Sequence, residues 1–229
     1  MASARGHARC SPTVLMLEGR LHGAGSTLHA LAWRGIAAAY SKYVARGDAS
    51  FWDELYRDGY AEKLEASGER PRSAVIAGLL QDLPARGPIR VLDVGCGTGL
   101  LSRLVRRPMR YDGVDISREA IACARRTNAS LGVTFEHADF DAFATSRRYD
   151  AVVLNEVLYY FPLDRVEGVM KRALALLRDD ESRIVVSMST GPKSRRAWRL
   201  AHRITAPVVT LGVVAGSFSR WEIRVLKER

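Results

Sequence analysis

The sequence predicts an α/β protein: a doubly wound, seven-stranded sheet, parallel for most of its width and closed by a C-terminal antiparallel hairpin. Three observations carry this. Residues 91–99, Val-Leu-Asp-Val-Gly-Cys-Gly-Thr-Gly, run a short apolar strand into three alternate glycines, the pattern of a strand, a tight loop and a helix. Short apolar runs at 111–116, 133–137, 151–154 and 184–188 then alternate with helical patterns, the spacing that parallel strands joined by crossovers require. Two β-rich segments, 208–215 and 220–226, end the chain with Gly216-Ser217-Phe218-Ser219 between them, a hairpin that supplies strands six and seven. The architecture is Rossmann-like, and 229 residues suffice for one such domain with a sizeable core.

The elements follow in order. Residues 1–49 read as an N-terminal extension, possessing no clean period over 1–25, then a helical pattern over 27–44 with Leu28, Leu31, Ala32 and Tyr43 on its apolar side. Its acid-poor, Arg-containing composition is that of a transit peptide; a flexible extension, or a true start at Met16, is the preferred explanation. The domain proper spans 50–229. Residues 50–70, with Phe51, Trp52, Leu55, Tyr56, Tyr60 and Leu64, form a cap. The core of 71–190 opens with a helix over 72–83, stopped by Pro84. Helices over 99–107, 118–131 and 163–178 separate the strands, the second of them capped by Ser117. A basic helix over 193–205 and the hairpin complete the domain over 191–229.

The glycine spacing is G-x-G-x-G, and Leu100 stands where a dinucleotide fingerprint would place its last glycine. With Asp93 just ahead of the loop, the site suits a cationic ligand without phosphates, such as an adenosyl sulfonium with an amino-acid tail. Asp115, about 20 residues past the loop, is placed to accept two ribose hydroxyls. Asp139 can accept from an adenine amino group, with Phe140 packing on the ring. The strand over 151–154 delivers Asn155 and Glu156 to the carboxyl edge of the sheet, where open α/β sheets bind ligands.

These segments resemble the class I S-adenosylmethionine-dependent methyltransferases: VLDVGCGTG at 91–99, GVDIS at 113–117, ADF at 138–140 and YDAVVLNEVLYYF at 149–161, in the family's order. The resemblance implies S-adenosyl-L-methionine as methyl donor, with the Gly95–Gly97 backbone under its methionine part, Asp115 and Ile116 at the ribose, and Asp139 and Phe140 at the adenine. Asn155-Glu156-Val157-Leu158-Tyr159-Tyr160, with Trp52 and Arg72 upstream and the C-terminal Gly216–Leu226 segment, is similar to the nodulation N-methyltransferases and relatives of saccharide biosynthesis. In that branch a tryptophan and an arginine before the first core strand help hold the cofactor. Trp52 and Arg72 are the matching residues, with Arg70 the alternate; Trp52 serves equally as a core aromatic.

The expected reaction is methyl transfer to N or O of a small-molecule acceptor, a biosynthetic metabolite, saccharide or amino sugar. A hydroxyl acceptor needs a base, for which His202, Glu156 and His137 are candidates in that order, whereas an amine can arrive deprotonated. Trp198 and His202 share one face of the basic helix and are candidates to line the site, with Arg195, Arg199 and Arg203 on another face to attract an anionic substrate. The alternatives are an RNA methyltransferase and a non-catalytic adenosylmethionine-binding subunit.

Composition bears on both. The net charge of +10 is terminal, with +5 over 1–47, +7 over 191–229 and −2 between, so no broad phosphate-tracking surface is expected. The Asn/Asp-Pro-Pro-aromatic motif that holds nucleic-acid bases is absent, which makes nucleic acid an unlikely partner. Cys10, Cys96 and Cys123 are scattered without metal-ligand spacing, so no metal and a reducing, cytoplasmic setting are expected. No run of eighteen apolar residues marks a membrane span.

Overall fold

A computed structural model describes residues 48–65, 69–85, 87–128, 133–215 and 219–229. The expectations for 1–47, including the helix over 27–44 and the start at Met16, lie outside the described residues.

The cap begins with α1 (Ala49–Leu55), whose N-cap Asp48 accepts the amide of Phe51 at 2.9 Å. The helix kinks over Tyr56–Tyr60, where Gly59 takes φ 90°, and resumes as α2 (Ala61–Glu65). Next comes α3 (Arg70–Asp82), with Pro71 in its first turn and Leu83 extended ahead of Pro84, as a residue before proline prefers. The sheet then alternates with helices: β1 (Ile89–Val94), α4 (Leu100–Leu104), β2 (Met109–Asp115), α5 (Arg118–Thr127), β3 (Thr134–His137) and β4 (Ala151–Asn155). A 3₁₀ turn at Leu158–Tyr160 leads to α6 (Val166–Ala175), β5 (Arg183–Ser189), α7 (Pro192–Ala201), β6 (Thr205–Ala215) and β7 (Ser219–Glu228).

Seven strands form one sheet in the order β3-β2-β1-β4-β5-β7-β6. The first five are mutually parallel, while β7 runs antiparallel to both β5 and β6. The predicted doubly wound sheet and its closing hairpin are therefore the observed ones. Successive residues of each central strand feed opposite cores: Val91, Val153 and Val185 pack with Ile76 and Leu80 of α3 and Ile121 of α5, whereas Leu92, Val152 and Ile184 pack with Met170 of α6 and Trp198 of α7. Burial on both faces is why these strands read as unbroken apolar runs.

Several helices are shorter than their patterns. In place of a helix over 99–107, α4 stops at Leu104 because Val105 turns extended and buries its side chain in the core. The helix expected over 163–178 starts at Val166, and α7 ends at Ala201, not 205, where Thr205 hooks its hydroxyl onto the Ala201 carbonyl at 2.9 Å and opens β6. The strand order reverses between β1 and β4, and such a switch point leaves a crevice beyond the carboxyl ends of the strands.

Candidate active site

A cavity of about 1100 Å³ occupies that crevice. The glycine loop and the ends of β2 and β4 line it, the cap residues Trp52, Tyr56 and Tyr60 close one side, and the first turn of α7 with Arg220 and Trp221 forms another. Trp52, Arg72, Asp93, Gly95, Gly97, Asp115, Ile116, Asp139, Phe140, Asn155 and Glu156, all singled out in the sequence, line this one cavity.

The glycine loop is fixed from below. Gly95 and Cys96 donate their amides to the Val114 carbonyl at 2.8 and 3.1 Å, and Gly97 donates to Asp115 Oδ2 at 2.9 Å. Gly95 takes φ 68° and Gly97 φ 55°, a left-handed conformation that favours glycine. A Cβ at Gly95 would lie 2.7 Å from Val157 Cγ2, and one at Gly97 would lie 2.7 Å from the Tyr56 hydroxyl. Conformation and protein neighbours therefore already demand glycine here, apart from any ligand.

Asp115 joins two loops, since its other oxygen accepts the Ser117 amide at 2.9 Å, and burial raises its pKa. Ser117 caps α5 as expected, accepting the Ala120 amide at 3.1 Å, while Asp53 of the cap accepts the Ser117 hydroxyl at 2.7 Å and ties α1 to this corner. Asp93 is 2 % exposed, and its Oδ2 accepts a hydrogen bond from the Tyr111 hydroxyl. Its Oδ1 is buried with no partner among the described residues, and desolvation pushes its pKa up to about 7. Asp139 is exposed and accepts the Asp141 amide at 3.0 Å. Phe140 is buried, its ring backed by the Arg172 guanidinium at 5.3 Å.

Beyond β4, Glu156 is held with φ 61°, the sole non-glycine residue with positive φ among the described residues. Strain of this kind persists where surrounding structure imposes it. Here the Glu156 amide is pinned to the Ser187 carbonyl at 2.9 Å, and Oε2 accepts the Tyr159 hydroxyl at 2.8 Å. Oε1 is buried with no hydrogen-bond partner among the described residues, and desolvation raises the carboxyl pKa against the lowering effect of Arg72. Arg72, 4 % exposed, donates to Asn155 Oδ1 at 2.9 Å and Glu69 Oε2 at 2.7 Å, stands 3.9 Å from Glu156 Oε2, and lies over the Trp221 ring at 5.0 Å. Trp52 meets Tyr160 edge to face at 4.9 Å.

The structure separates His202 and Trp198 from this site, against the expectation that they line it. The first turn of α7 touches the cavity, and His202 follows the last, about 15 Å along the axis for ten residues. Its ring stacks on Trp198 and contacts Arg224 and the Thr205 carbonyl, while Trp198 faces the core. His137 also lies outside the cavity lining, exposed and bonded to the Ile116 carbonyl at 3.0 Å. Lys193, Glu69 and Tyr56 are among the lining residues that carried no sequence assignment to the site. Lys193 stands over the Tyr159 and Tyr160 rings at 5.8 and 5.5 Å, with burial lowering its pKa; the Gly-Pro helix start at 191–192, just past a strand, is a signal that locates it. Glu69 and Tyr56 carry no comparable signal, because the cap's fold decides their positions. Among the described residues no cluster of three metal-ligating side chains occurs, and no helix is long and apolar enough to cross a membrane.

Comparison with known proteins agrees with this geometry. Residues 91–180 match the family model described as a methyltransferase domain. Over 112 residues the chain is 36% identical to chondramide synthase of Chondromyces crocatus, a match covering 45% of this chain and 3% of that protein. Over 92 residues it is 30% identical to nodulation protein S of Azorhizobium caulinodans, covering 39% of this chain and 44% of that protein. It thus spans under half the length of either relative. The N-methyltransferase NodS from Bradyrhizobium japonicum WM9, solved with S-adenosyl-L-homocysteine, superposes with a TM-score of 0.60 at 19% identity, over 72% of this chain and 90% of that one. The methyltransferase-domain match, the strand order and these likenesses identify the chain as having the class I S-adenosylmethionine-dependent methyltransferase fold, resembling the nodulation N-methyltransferases.

Proposed function

We propose that the protein binds S-adenosyl-L-methionine and transfers its methyl group to a nitrogen or oxygen of a small-molecule acceptor. The observation that carries this is a pair of buried carboxylate oxygens, Asp93 Oδ1 and Glu156 Oε1, that have no hydrogen-bond partner among the described residues and belong to residues lining one cavity at the switch point of the sheet. Orphaned anionic groups suit a ligand that brings positive charge and hydrogen-bond donors. The residues present fit adenosylmethionine. Asp93 and the Gly95–Gly97 backbone hold its amino-acid part, with Arg72 and Asn155 beside them. Asp115 receives the ribose hydroxyls, Ile116, Asp139 and Phe140 border the adenine, and Trp52 covers the site from the cap. Bound there, the cofactor supplies an electrophilic sulfonium methyl.

The chain's own contribution is alignment, exclusion of water and proton management. The cap and the tyrosines wall the site, so that an acceptor is held against the methyl in a water-poor space. Glu156 takes the acceptor's proton on Oε1, while the Tyr159 hydroxyl steadies Oε2. His202, contacting Arg224 and removed from the cavity, is not assigned this role. That relatives include proteins named for N- and for O-methyl transfer supports keeping both acceptor atoms.

Calorimetric titration with adenosylhomocysteine, and in parallel NADH, on wild type and Asp115→Ala tests the reading. Tight adenosylhomocysteine binding that the substitution abolishes is the expected result, after which amino sugars and small hydroxylated metabolites are screened as acceptors. Preferential binding of NADH, or no binding of adenosylhomocysteine, overturns it.

A further inference from the structure

The solvent face of α7 is cationic from end to end. Arg195, Arg196 and Arg199 are exposed on the helix, Arg203 continues the row beyond its last turn, and Lys193 begins it at the cavity wall. The row runs for about 15 Å, ten residues at the helical rise, outward from the cavity mouth. Among the described residues no carboxylate pairs with Arg195, Arg196 or Arg199, and Arg203 meets only Glu167, at 3.7 Å, which also pairs with Lys171 at 2.9 Å.

Arg199 in the last turn and Arg203 beyond it meet the favourable end of the helix dipole, but nothing in the fold rewards the cations that precede them. Arginines at i, i+3 and i, i+4 repel along a helix. Lys193 stands in the first turn with Arg195 and Arg196 directly behind it, and that turn holds no acidic residue, although the positive end of the helix dipole disfavours cations there. The buried face of the same helix, Ser194, Ala197, Trp198 and Ala201, holds it to the core without help from the arginines.

We propose that this face is a docking surface for an acidic protein partner that presents the methyl acceptor at the cavity mouth. One small anion neutralises one or two of these cations, whereas the row spaces them about a helical turn apart, which matches carboxylates at i and i+4 on an acidic helix. The row lacks what a nucleic acid uses: its exposed positions carry no aromatic side chain to stack a base, and Trp198 is buried between His202 and Arg224. Acidic protein is thus the occupant that the charge and its spacing favour.

The test is fluorescence anisotropy on the full chain with three probes: a labelled helical peptide bearing glutamates at i, i+4 and i+8, a scrambled peptide of the same composition, and a twenty-nucleotide oligouridylate. Arg195→Gln/Arg196→Gln/Arg199→Gln is compared with Arg106→Gln/Arg110→Gln/Arg126→Gln, which removes equal charge from exposed positions off α7. The expected result is helical-peptide binding that weakens at least tenfold in the α7 variant, is unchanged in the control, and exceeds binding of the scrambled peptide. Equal losses in both variants, no peptide binding at low salt, or tighter α7-dependent binding of the oligouridylate overturns the proposal. The thermal midpoint is a second readout: relieving the repulsion should hold or raise it, and a marked fall would assign the arginines a structural role and refute the argument. The inference goes beyond the methyl-transfer reading, and adenosylhomocysteine affinity, expected to be unchanged in both variants, reports separately on that reading.

Discussion

Asp115 is a carboxylate with several duties, since it accepts the Gly97 amide on one oxygen and the Ser117 amide on the other while lining the cavity. Removing it unties the glycine loop from the end of β2 and deletes the group assigned to the ribose. At about 1.5–3 kcal/mol for a hydrogen bond to a charged group, Asp115→Ala should weaken adenosylhomocysteine roughly 100-fold or more in calorimetry. Glu156 is different, because its interactions lie on the acceptor side. Glu156→Gln keeps an oxygen for Tyr159 to donate to but cannot take a proton. With an acceptor in hand, kcat should fall by about 10²–10⁴ while adenosylhomocysteine affinity stays within a few-fold. The pH profile carries the sign: burial raises the Glu156 pKa, so wild-type rates climb as pH rises through it, and the glutamine variant should lack that limb. An unchanged rate in the variant would confine Glu156 to a structural carboxylate.

Among the elements, the loop after β1 is locked by the loop after β4. A methyl group at Gly95 would meet Val157 Cγ2 at 2.7 Å, on a backbone with φ 68°. Gly95→Ala should cost about 1–3 kcal/mol, lowering the thermal midpoint by roughly 3–10 °C for a protein of this size. Val157→Ala in the same chain should restore the part that comes from the clash and leave the part that comes from φ, so that calorimetric scans of the single and double variants separate the two. The strands that carry this loop were legible in the sequence because burial on both faces makes them apolar throughout, as Val152, Val153 and Leu154 illustrate. Helix ends were less legible. Thr205 turns α7 into β6 through a hydroxyl contact to Ala201, and no helical period records such a tertiary choice. The site divides in the same way. Asp93, Asp115, Asn155 and Glu156 stand at strand ends, where register alone sends them to the carboxyl edge. Trp198 and His202 were grouped correctly on one helix face, but i, i+4 spacing says nothing of which end of α7 meets the cavity. Glu69, Tyr56 and Lys193 join the site only once the cap and the first turn of α7 are placed.

For the molecule as a whole, the site sets a balance between stability and ligand readiness. Asp93, 2 % exposed, has a folded-state pKa pushed up from 3.8 to about 7 by desolvation, and burial raises the pKa values of Asp115 and Glu156 as well. A carboxyl group with a raised folded pKa binds more protons folded than unfolded, so its contribution to stability is complete below the unfolded pKa and is lost as pH rises through the folded one. For Asp93 that window runs from about pH 4 to 7, and the loss across it is on the order of 4 kcal/mol, of which roughly 3 falls above pH 5. The unliganded protein should therefore melt roughly 5–10 °C lower at pH 7.5 than this group alone would allow at pH 5. Asp93→Asn retains an oxygen for the Tyr111 hydroxyl without the buried charge, and should flatten the pH dependence and melt higher near neutrality. The same substitution should weaken adenosylhomocysteine, because the unpaired Oδ1 is the anionic group offered to the ligand's ammonium. Thermal melts of both proteins across pH 5–8, with and without ligand, test the linkage: ligand stabilisation that grows with pH in wild type and stays flat in Asp93→Asn is the expected pattern. Parallel pH curves for the two proteins would show that Asp93 titrates normally and would remove it from the cofactor site's electrostatics.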